Sequence, residues 1–204
     1  MRKQPRQERS RQMVERIVAA GRSVLVRDGY DAFSTNRVAA AAGVSPGSVY
    51  QYFPDKAAIL EIVVDRYWEE VAEQVAASLA DRITGFGPAM VRETADALLA
   101  ALESDPALLR VVARELPLSR NHTRLEALER RIRDLAAASL AARPDSARRP
   151  DPAVAAWVMV LAIEHLATRW VLDRPAVTRD QLLDEITALV GGYLLSPPLT
   201  PGGR

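Results

Sequence analysis

The stretch from Ser34 to Leu60, STNRVAAAAGVSPGSVYQYFPDKAAIL, predicts two short helices joined by a tight turn. Ser34 is a favourable N-cap, because its side-chain oxygen can accept a hydrogen bond from an unpaired amide at the start of a helix. Gly43 suits the left-handed backbone that ends such a helix. Ser45 is a second N-cap, and Pro46 follows at a first helical position, where a missing N–H costs nothing. Two helices separated by a glycine turn are typical of a helix-turn-helix.

The two helices are predicted to end at Ala42 and to run from Pro46 to Phe53. Their apolar residues form one packing seam, which consists of Val38, Ala42, Val44, Val49 and Phe53. The residues predicted to point outward from the second helix are Gly47, Ser48, Tyr50 and Gln51. A helix this short is marginal in water by itself. Because recognition helices present their N-terminal residues to base edges, the pattern indicates DNA reading.

The same residues resemble a known signature, AxxAGVSxGxxYxYFxxKxxL, which is found in the DNA-binding region of the tetracycline-repressor (TetR) family. The resemblance implies phosphate contacts by Ser34, Thr35, Tyr50, Tyr52 and Lys56. It places over the bases Asn36, Arg37, Pro46, Gly47, Ser48 and Tyr50. Ser45 and Gln51 complete the predicted interface. Asn36 and Gln51 are variable positions of the pattern, so the operator sequence depends on them.

The resemblance also implies an all-α fold of about nine helices, with a three-helix head and a larger helical body. The head, 1–54, would bind double-stranded DNA. The body, 55–204, would bind an unknown small-molecule effector and form the homodimer. The function implied is a ligand-released repressor that binds a palindromic operator. No enzymatic activity, cofactor or metal is implied.

Apolar periodicity outside the signature predicts further helices. The first is Ser10–Asp28, which Gly29 should stop. A continuous helix from Asp55 to about Leu79 would be roughly 37 Å long at 1.5 Å per residue, and the resemblance implies that an effector tilts it. The others are Pro88–Glu103, Pro106–Leu116, Thr123–Ala142, Pro152–Leu172 and a final helix. Residues Arg143–Pro152 read as a surface loop.

Charge is distributed unevenly along the chain. Residues 1–60 contain 10 Lys/Arg and 5 Asp/Glu, a net +5, whereas residues 61–204 contain 17 and 21, a net −4. Positive charge therefore accompanies the helix-turn-helix, as phosphate binding requires. A basic tail that only aids solubility is the alternative explanation for the N-terminal arginines.

Composition excludes several other classes of protein. The absence of cysteine excludes disulfides, thiolate catalysis and cysteine metal sites. The start of the chain is basic and polar, unlike a secretory signal. The longest apolar run, Ala153–Ile163, has 11 residues, whereas a bilayer span needs roughly 20. We therefore expect a cytoplasmic protein that does not enter a membrane.

The last two helices are predicted to form the dimer interface. The segment Pro152–Leu172 is unusually apolar, and a helix that is apolar on most sides must be buried. The final helix has a broad stripe of Leu182, Leu183, Ile186, Leu189, Val190, Tyr193 and Leu194. Burial in the core of one chain is the alternative. A dimer is favoured because a palindromic operator needs two heads about 34–36 Å apart.

An effector pocket is implied by the resemblance and only weakly indicated by the residues. The candidates are the unusual side chains of the body, namely Tyr67, Trp68, Phe86, Met90, His122, Trp157, Glu164, His165 and Trp170. Core packing is the simpler explanation for most of them. Glu164 and His165 interrupt an apolar helix, but neighbouring helical positions point about 100° apart.

Three other classes of protein remain as alternatives. An enzyme is disfavoured, because the chain has no phosphate-binding glycine loop, nucleophile elbow, zinc motif or Cys–His pair. An architectural DNA-binding protein would not need a large body of nearly neutral charge. The remaining alternative is a helical small-molecule-binding or scaffold protein without specific DNA binding.

Overall fold

The computed structural model describes residues 4–79, 87–116, 130, 133–134, 137–138, 141 and 151–195. These residues form eight helices with defined ends and no strand, which confirms the all-α fold. The helices are α1 (Gln4–Ala32), α2 (Thr35–Ala42), α3 (Pro46–Tyr50), α4 (Lys56–Leu79), α5 (Pro88–Glu103), α6 (Pro106–Arg114), α7 (Pro152–Asp173) and α8 (Arg179–Leu195). The described residues between 130 and 141 are helical too, and the rest of the predicted helix Thr123–Ala142 lies outside the described residues.

Several predicted helix ends differ from those observed, including the start of α4, at Lys56 rather than Asp55, and the end of α7, at Asp173 rather than Leu172. Helix α1 begins at Gln4 rather than Ser10, because the residues before Ser10 are mostly good helix formers. The sequence predicts that Gly29 stops the helix after Asp28; the backbone is non-helical there, with φ 76° and ψ 174°, but the helix continues beyond this kink to Ala32. Helix α3 ends at Tyr50 rather than Phe53, although the amides of Tyr52 and Phe53 still bond to the Val49 carbonyl. Helix α6 ends at Arg114, two residues before the predicted end.

The described chain forms two compact units. The first comprises α1, α2, α3, α4 as far as Glu69, and the residues from Asp105 to 116. Its core contains the predicted seam, since Val38, Ala42, Val49 and Phe53 are buried, while Val44 is half-buried. The boundaries of the compact units therefore differ from the boundary between the predicted domains, 1–54 and 55–204. Those domains divide the chain by function, and that division stays a prediction.

Helix α1 packs closely on the first turns of α4. A Cβ atom added at Gly21 would lie 2.9 Å from Cγ2 of Ile59 and 3.4 Å from Cγ2 of Val63. Real Cβ atoms do not approach a methyl group at 2.9 Å, so the distance between these helices depends on glycine at position 21. An ion pair between Glu15 and Arg66 joins the same helices, with both N–O distances 2.6 Å.

Helix α6 is distant in sequence from α1, yet it packs against it in the first unit. Its N-cap, Asp105, accepts the Leu108 amide at 2.9 Å and binds Arg22 of α1 at 2.8 Å. At the other end, Glu115 accepts the Tyr30 amide at 3.0 Å. Helix α6 is therefore attached to α1 near both of its ends.

The second unit is organised around α5, which packs against both α7 and α8. Its core includes Leu99, Leu102, Met159, Ile186 and Val190. Two arginines secure α5 to the start of α8. Arg92 of α5 binds Asp180 and Asp184, and Arg179 of α8 binds Asp96 and Glu103.

Helix α7 is, among the described residues, the one helix long and apolar enough to cross a membrane by length and composition. Its most apolar window has a mean hydropathy of 1.4 and is 28% buried. Core helices of soluble proteins meet the same criterion, so it is weak evidence for membrane insertion.

Candidate nucleic-acid interface

Local hydrogen bonds build the helix-turn-helix. The Ser34 hydroxyl accepts the Arg37 amide at 3.4 Å at the start of α2, and Gly43 adopts a left-handed φ of 65° at its end. At the start of α3, the Ser45 hydroxyl accepts the Ser48 amide at 3.1 Å and lies 2.8 Å from the Ser48 hydroxyl. Both predicted N-caps are confirmed, so the turn between the helices is held by the backbone and by short side chains.

Most of the predicted DNA-binding residues are accessible. Exposed are Asn36, Arg37, Ser45, Pro46, Gly47, Tyr50, Gln51 and Lys56; Ser34, Ser48 and Tyr52 are half-buried. They lie at the start of α2, at the start and along the length of the short helix α3, and from Gln51 to the first residue of α4. Among the residues that the structure describes, a Cβ added at Gly47 would meet only Ser45 Oγ, at 3.8 Å, which leaves its backbone open to close approach.

Thr35 differs from the other predicted contacts, since it is only 7% exposed. Its side chain faces the core of the first unit, which sequence alone did not predict. The amide at the first turn of α2 is the group of Thr35 that suits a phosphate, because amides at helix N-termini point away from the helix. A phosphate contact by Thr35 stays a prediction.

Lys56 occupies a defined place at the start of α4. Its Nζ donates to the Phe33 carbonyl at 3.3 Å and lies 5.4 Å from the centre of the Tyr30 ring. An ammonium group has three donors, so this bond leaves others for a phosphate. The lysine thus positions the loop between α1 and α2 as well as adding positive charge to the surface.

An ion-pair cluster that sequence reasoning missed adjoins the start of α2. Asp28 accepts hydrogen bonds from Arg27 at 2.7 and 2.8 Å and from Arg37 at 2.9 Å. Hydrogen bonds from Arg27 and then Arg37 hold the pKa of the Asp28 carboxyl well below its usual range. Arg37 is distant from Asp28 along the chain by nine residues, so no short motif indicates this pairing.

The predicted effector residues that the structure describes are divided between the two compact units. Tyr67 and Trp68 are buried in the first unit, with ring centres 4.9 Å apart. In the second unit Met90 and Glu164 are half-buried, and His165 is exposed. Phe86 and His122 lie outside the described residues.

Trp170 and Trp157 have separate environments in the second unit. The Trp170 Nε1 donates to the Val177 carbonyl at 2.9 Å, which is a structural role in the connection between α7 and α8. Trp157 lines an open cleft of about 390 Å³. The other residues of this cleft are Arg130, Arg133, Asp134, Ala137, Ala153 and Val154. Within the described ranges, no group of three or more His, Asp or Glu residues is placed to hold a metal ion.

A capped helix-turn-helix with an exposed recognition surface, in an otherwise helical chain, defines a class of DNA-binding regulators. Residues 17–63 match the family described as "Bacterial regulatory proteins, tetR family". Residues 88–194, more than half of the chain, match "Tetracyclin repressor-like, C-terminal domain". The chain therefore belongs to the TetR family, as the signature predicted. It is a DNA-binding transcriptional regulator and not an enzyme.

Two relatives match over part of the chain. The nucleoid occlusion factor SlmA of Actinobacillus pleuropneumoniae is 34% identical over 71 residues, 35% of this chain and 34% of that protein. The DNA-binding transcriptional repressor TetR of Mycobacteroides abscessus is 32% identical over 106 residues, 50% of this chain and 54% of that protein. The matches thus span about a third and about half of these relatives' lengths.

Solved structures show the same fold over nearly the whole chain. The fatty acid degradation regulator FadR of Bacillus halodurans has a TM-score of 0.68 at 17% identity, and the match covers 90% of this chain and 96% of FadR. NalD, the secondary repressor of the MexAB-OprM multidrug efflux pump of Pseudomonas aeruginosa, has a TM-score of 0.65 at 20% identity, covering 90% and 98%. At such low identities these similarities show the fold alone.

Proposed function

We propose that this regulator binds a palindromic operator as a homodimer and represses transcription until a small molecule releases it. Regulators of the TetR family bind DNA, are dimeric and respond to small-molecule effectors. In this proposal residues 1–54 read the DNA, while residues 55–204 bind the effector and form the dimer. Such a regulator acts in the cytoplasm. The observation that carries the dimer is an exposed apolar surface on the last two helices.

This surface consists of one stripe on each helix. On α7, Val154, Trp157 and Leu161 are 53%, 49% and 47% exposed, and they recur at intervals of three and four residues. On α8, Leu189 is 54% exposed, and the exposed Ala188 and Gly192 lie on the same face. Monomeric soluble proteins rarely expose a large contiguous apolar patch.

The shape of α8 also suits a helical partner. A Cβ added at Gly192 would meet no atom of the described residues within 4 Å, so none of their side chains covers this part of the helix surface. Small residues allow another helix to approach closely. A second copy of the chain is the occupant that we propose, because two-fold symmetry brings identical stripes together. The same symmetry would present two recognition helices to two half-sites about 34–36 Å apart.

The dimer is tested by placing a charge in the stripe. We expect Leu161→Glu to shift the protein to a monomer in analytical ultracentrifugation, because an unpaired carboxylate would be buried from each chain. Val177→Glu is the matched control, since Val177 is an exposed valine, 40% accessible, in the connection before α8. It should stay dimeric. A dimeric Leu161→Glu protein would exclude this interface.

DNA recognition is tested by gel shifts with the protein's own upstream DNA across a salt series. Sequence-selective binding that weakens steeply with salt supports the regulator. Tyr50→Ala should weaken binding by roughly tenfold or more, because Tyr50 is 55% exposed on α3 and lies in the predicted interface. If the wild type shows no preference over random DNA, with neighbouring promoters included, the proposal fails in favour of a helical binding or scaffold protein.

Two exposed glutamines provide a test substitution and its control in the same gel-shift assay. Gln51 is exposed just after α3, and Gln74 is exposed on α4. We expect Gln51→Ala to change which operator variants are preferred, since a glutamine amide can discriminate base edges. Gln74→Ala should leave both affinity and preference unchanged. Equal effects of the two substitutions would remove Gln51 from the interface.

The effector is tested by adding small apolar or cationic compounds to the operator complex. A true effector should release the DNA and raise the melting temperature of the free protein, because binding to the folded state stabilises it. The predicted effector residues Tyr67, Trp68, Phe86, Met90, His122, Trp157, Glu164 and His165 are the positions to substitute. Compounds that release DNA without stabilising the protein would not qualify as effectors.

A further inference from the structure

Asp28 holds two arginines at the edge of the predicted DNA-binding surface. Its side chain is 14% exposed, whereas those of Arg27 and Arg37 are 60% and 54% exposed. The carboxylate therefore lies beneath two guanidinium groups that remain accessible to solvent. Both of its oxygens are occupied, since Oδ1 accepts from Arg27 and Oδ2 accepts from both arginines.

The geometry leaves Arg37 restrained but able to bind further. Only its Nη1 is engaged by Asp28, at 2.9 Å. A guanidinium has five N–H donors in a fixed plane, so donors on the other nitrogens can reach a DNA group. Arg37 lies in the first turn of α2, beside Asn36, where the signature places base contacts. Asp28 thus determines the orientation in which Arg37 meets DNA.

The same pairing limits attraction to DNA in general. Asp28 accepts hydrogen bonds from both guanidinium groups, so the carboxylate restrains both arginines in the wild type and both would be released without it. Binding that ignores sequence comes mostly from cations that neutralise phosphates and release counterions. An arginine that is free to rotate can bind the phosphates of any sequence. Specificity is a difference between two affinities, so a group that weakens non-specific binding increases it.

We propose that Asp28 is a specificity-determining residue, which positions Arg37 for the operator and restrains Arg27 and Arg37 from binding the phosphates of other DNA. This inference rests on the proposed DNA surface at α2 and α3. It goes beyond that surface, because Asp28 itself carries a negative charge and would not contact DNA.

The test compares Asp28→Asn with Asp31→Asn. Both substitutions remove one negative charge from the same end of α1, and Asp31 is exposed and makes no ion pair among the described residues. The probes are the shortest upstream duplex that the wild type selects and a scrambled duplex of the same composition. Fluorescence anisotropy gives both affinities between 50 and 200 mM salt.

We expect Asp28→Asn to bind the scrambled duplex more tightly and with a steeper dependence on salt. Each additional phosphate contact adds about 0.9 to the slope of log K against log salt. The loss of affinity between 50 and 200 mM should therefore grow by roughly 3.5-fold for one released arginine and about 12-fold for two. The preference for the operator should fall. Asp31→Asn should change both affinities alike and leave the preference intact.

A second substitution identifies the released group. In the Asp28→Asn background, Arg37→Gln should remove about 0.9 of the extra slope. The inference would be overturned if Asp28→Asn and Asp31→Asn showed the same preference for the operator and the same salt dependence. It would also be overturned if the extra salt dependence of Asp28→Asn persisted after both Arg27 and Arg37 were replaced. If Asp28→Asn does not fold, Arg27→Gln in the wild type provides the second test. It should leave the slope for scrambled DNA unchanged if Asp28 restrains Arg27, and a reduced slope would contradict the inference.

A wild type that fails to select its upstream duplex would instead overturn the proposed function. The two failures are therefore distinguishable. One appears in the wild type alone, and the other appears only in the comparison of the two aspartate variants.

Discussion

Gly29 is the position at which the smallest substitution should have the largest effect on the first unit. Its φ of 76° and ψ of 174° lie in a region that is essentially restricted to glycine. The structure adds a second constraint from α6. A Cβ at position 29 would lie 3.0 Å from Glu115 Oε2, the oxygen that accepts the Tyr30 amide. Gly29→Ala should therefore strain the backbone and disturb the attachment of α6.

The magnitude follows from opposing terms. Backbone strain of this kind costs about 1–3 kcal/mol, and weakening the exposed Glu115 hydrogen bond adds about 0.5–1 kcal/mol. The lower entropy of the unfolded alanine chain returns about 0.4–1 kcal/mol. The net loss is about 2 kcal/mol, which lowers the melting temperature of a protein of this size by about 4–8 °C.

The assay is thermal and urea unfolding at one fixed protein concentration, because a dimer makes both midpoints concentration-dependent. Gly47→Ala is the matched control. Its Cβ would have open space around it, and alanine is the better helix former by about 0.5–1 kcal/mol. The control should be as stable as the wild type or slightly more so. A Gly29→Ala protein within about 0.5 kcal/mol of the wild type, or an equal loss in the control, would refute the reasoning.

Three further predictions concern the attachments of α1. Gly21→Ala should destabilise the first unit by about 1–2 kcal/mol through overpacking, and Ile59→Leu, which removes the methyl group 2.9 Å away, should recover part of this in urea unfolding. Asp105→Asn should lose the ion pair but keep the helix cap, whereas Asp105→Ala should be about 1 kcal/mol less stable again; equal urea midpoints would contradict this. A hydrogen bond from Arg66 lowers the pKa of Glu15 from 4.5, so the pair stabilises the fold above pH 4.5 and this stabilisation is lost as the pH falls through the lowered pKa. The melting difference between wild type and Glu15→Gln should shrink below pH 4.5, and a difference constant with pH would exclude the pair.

Sequence predicted best the features whose cause is local. The caps at Ser34 and Ser45 each bond to an amide three residues later, and the turn at Gly43 needs only that glycine. Helix α5 has the predicted bounds, Pro88–Glu103, because proline starts it and the apolar period continues to its end. Such interactions span a few residues and are visible in a short window of sequence.

The sequence proposes a set of interface residues, but it does not determine which of their side chains face solvent. Whether a side chain faces solvent depends on what packs against its helix. Thr35 is therefore buried although it is polar, and Trp157 is half exposed although it is aromatic and lies in an apolar helix. The effector residues stay a prediction, because a pocket requires residues from several helices whose placement no spacing encodes.

The sequence by itself determined the helix-turn-helix, the family and the order of helices, since capping, turn and apolar periodicity all act within a few residues. Only the tertiary structure decided which distant groups meet. Arg22 binds Asp105 across 83 residues, and Glu115 accepts the Tyr30 amide across 85. Asp28 reaches Arg37 because α1 and α2 pack together. These contacts depend on the packing of complete helices, so no local pattern of residues specifies them.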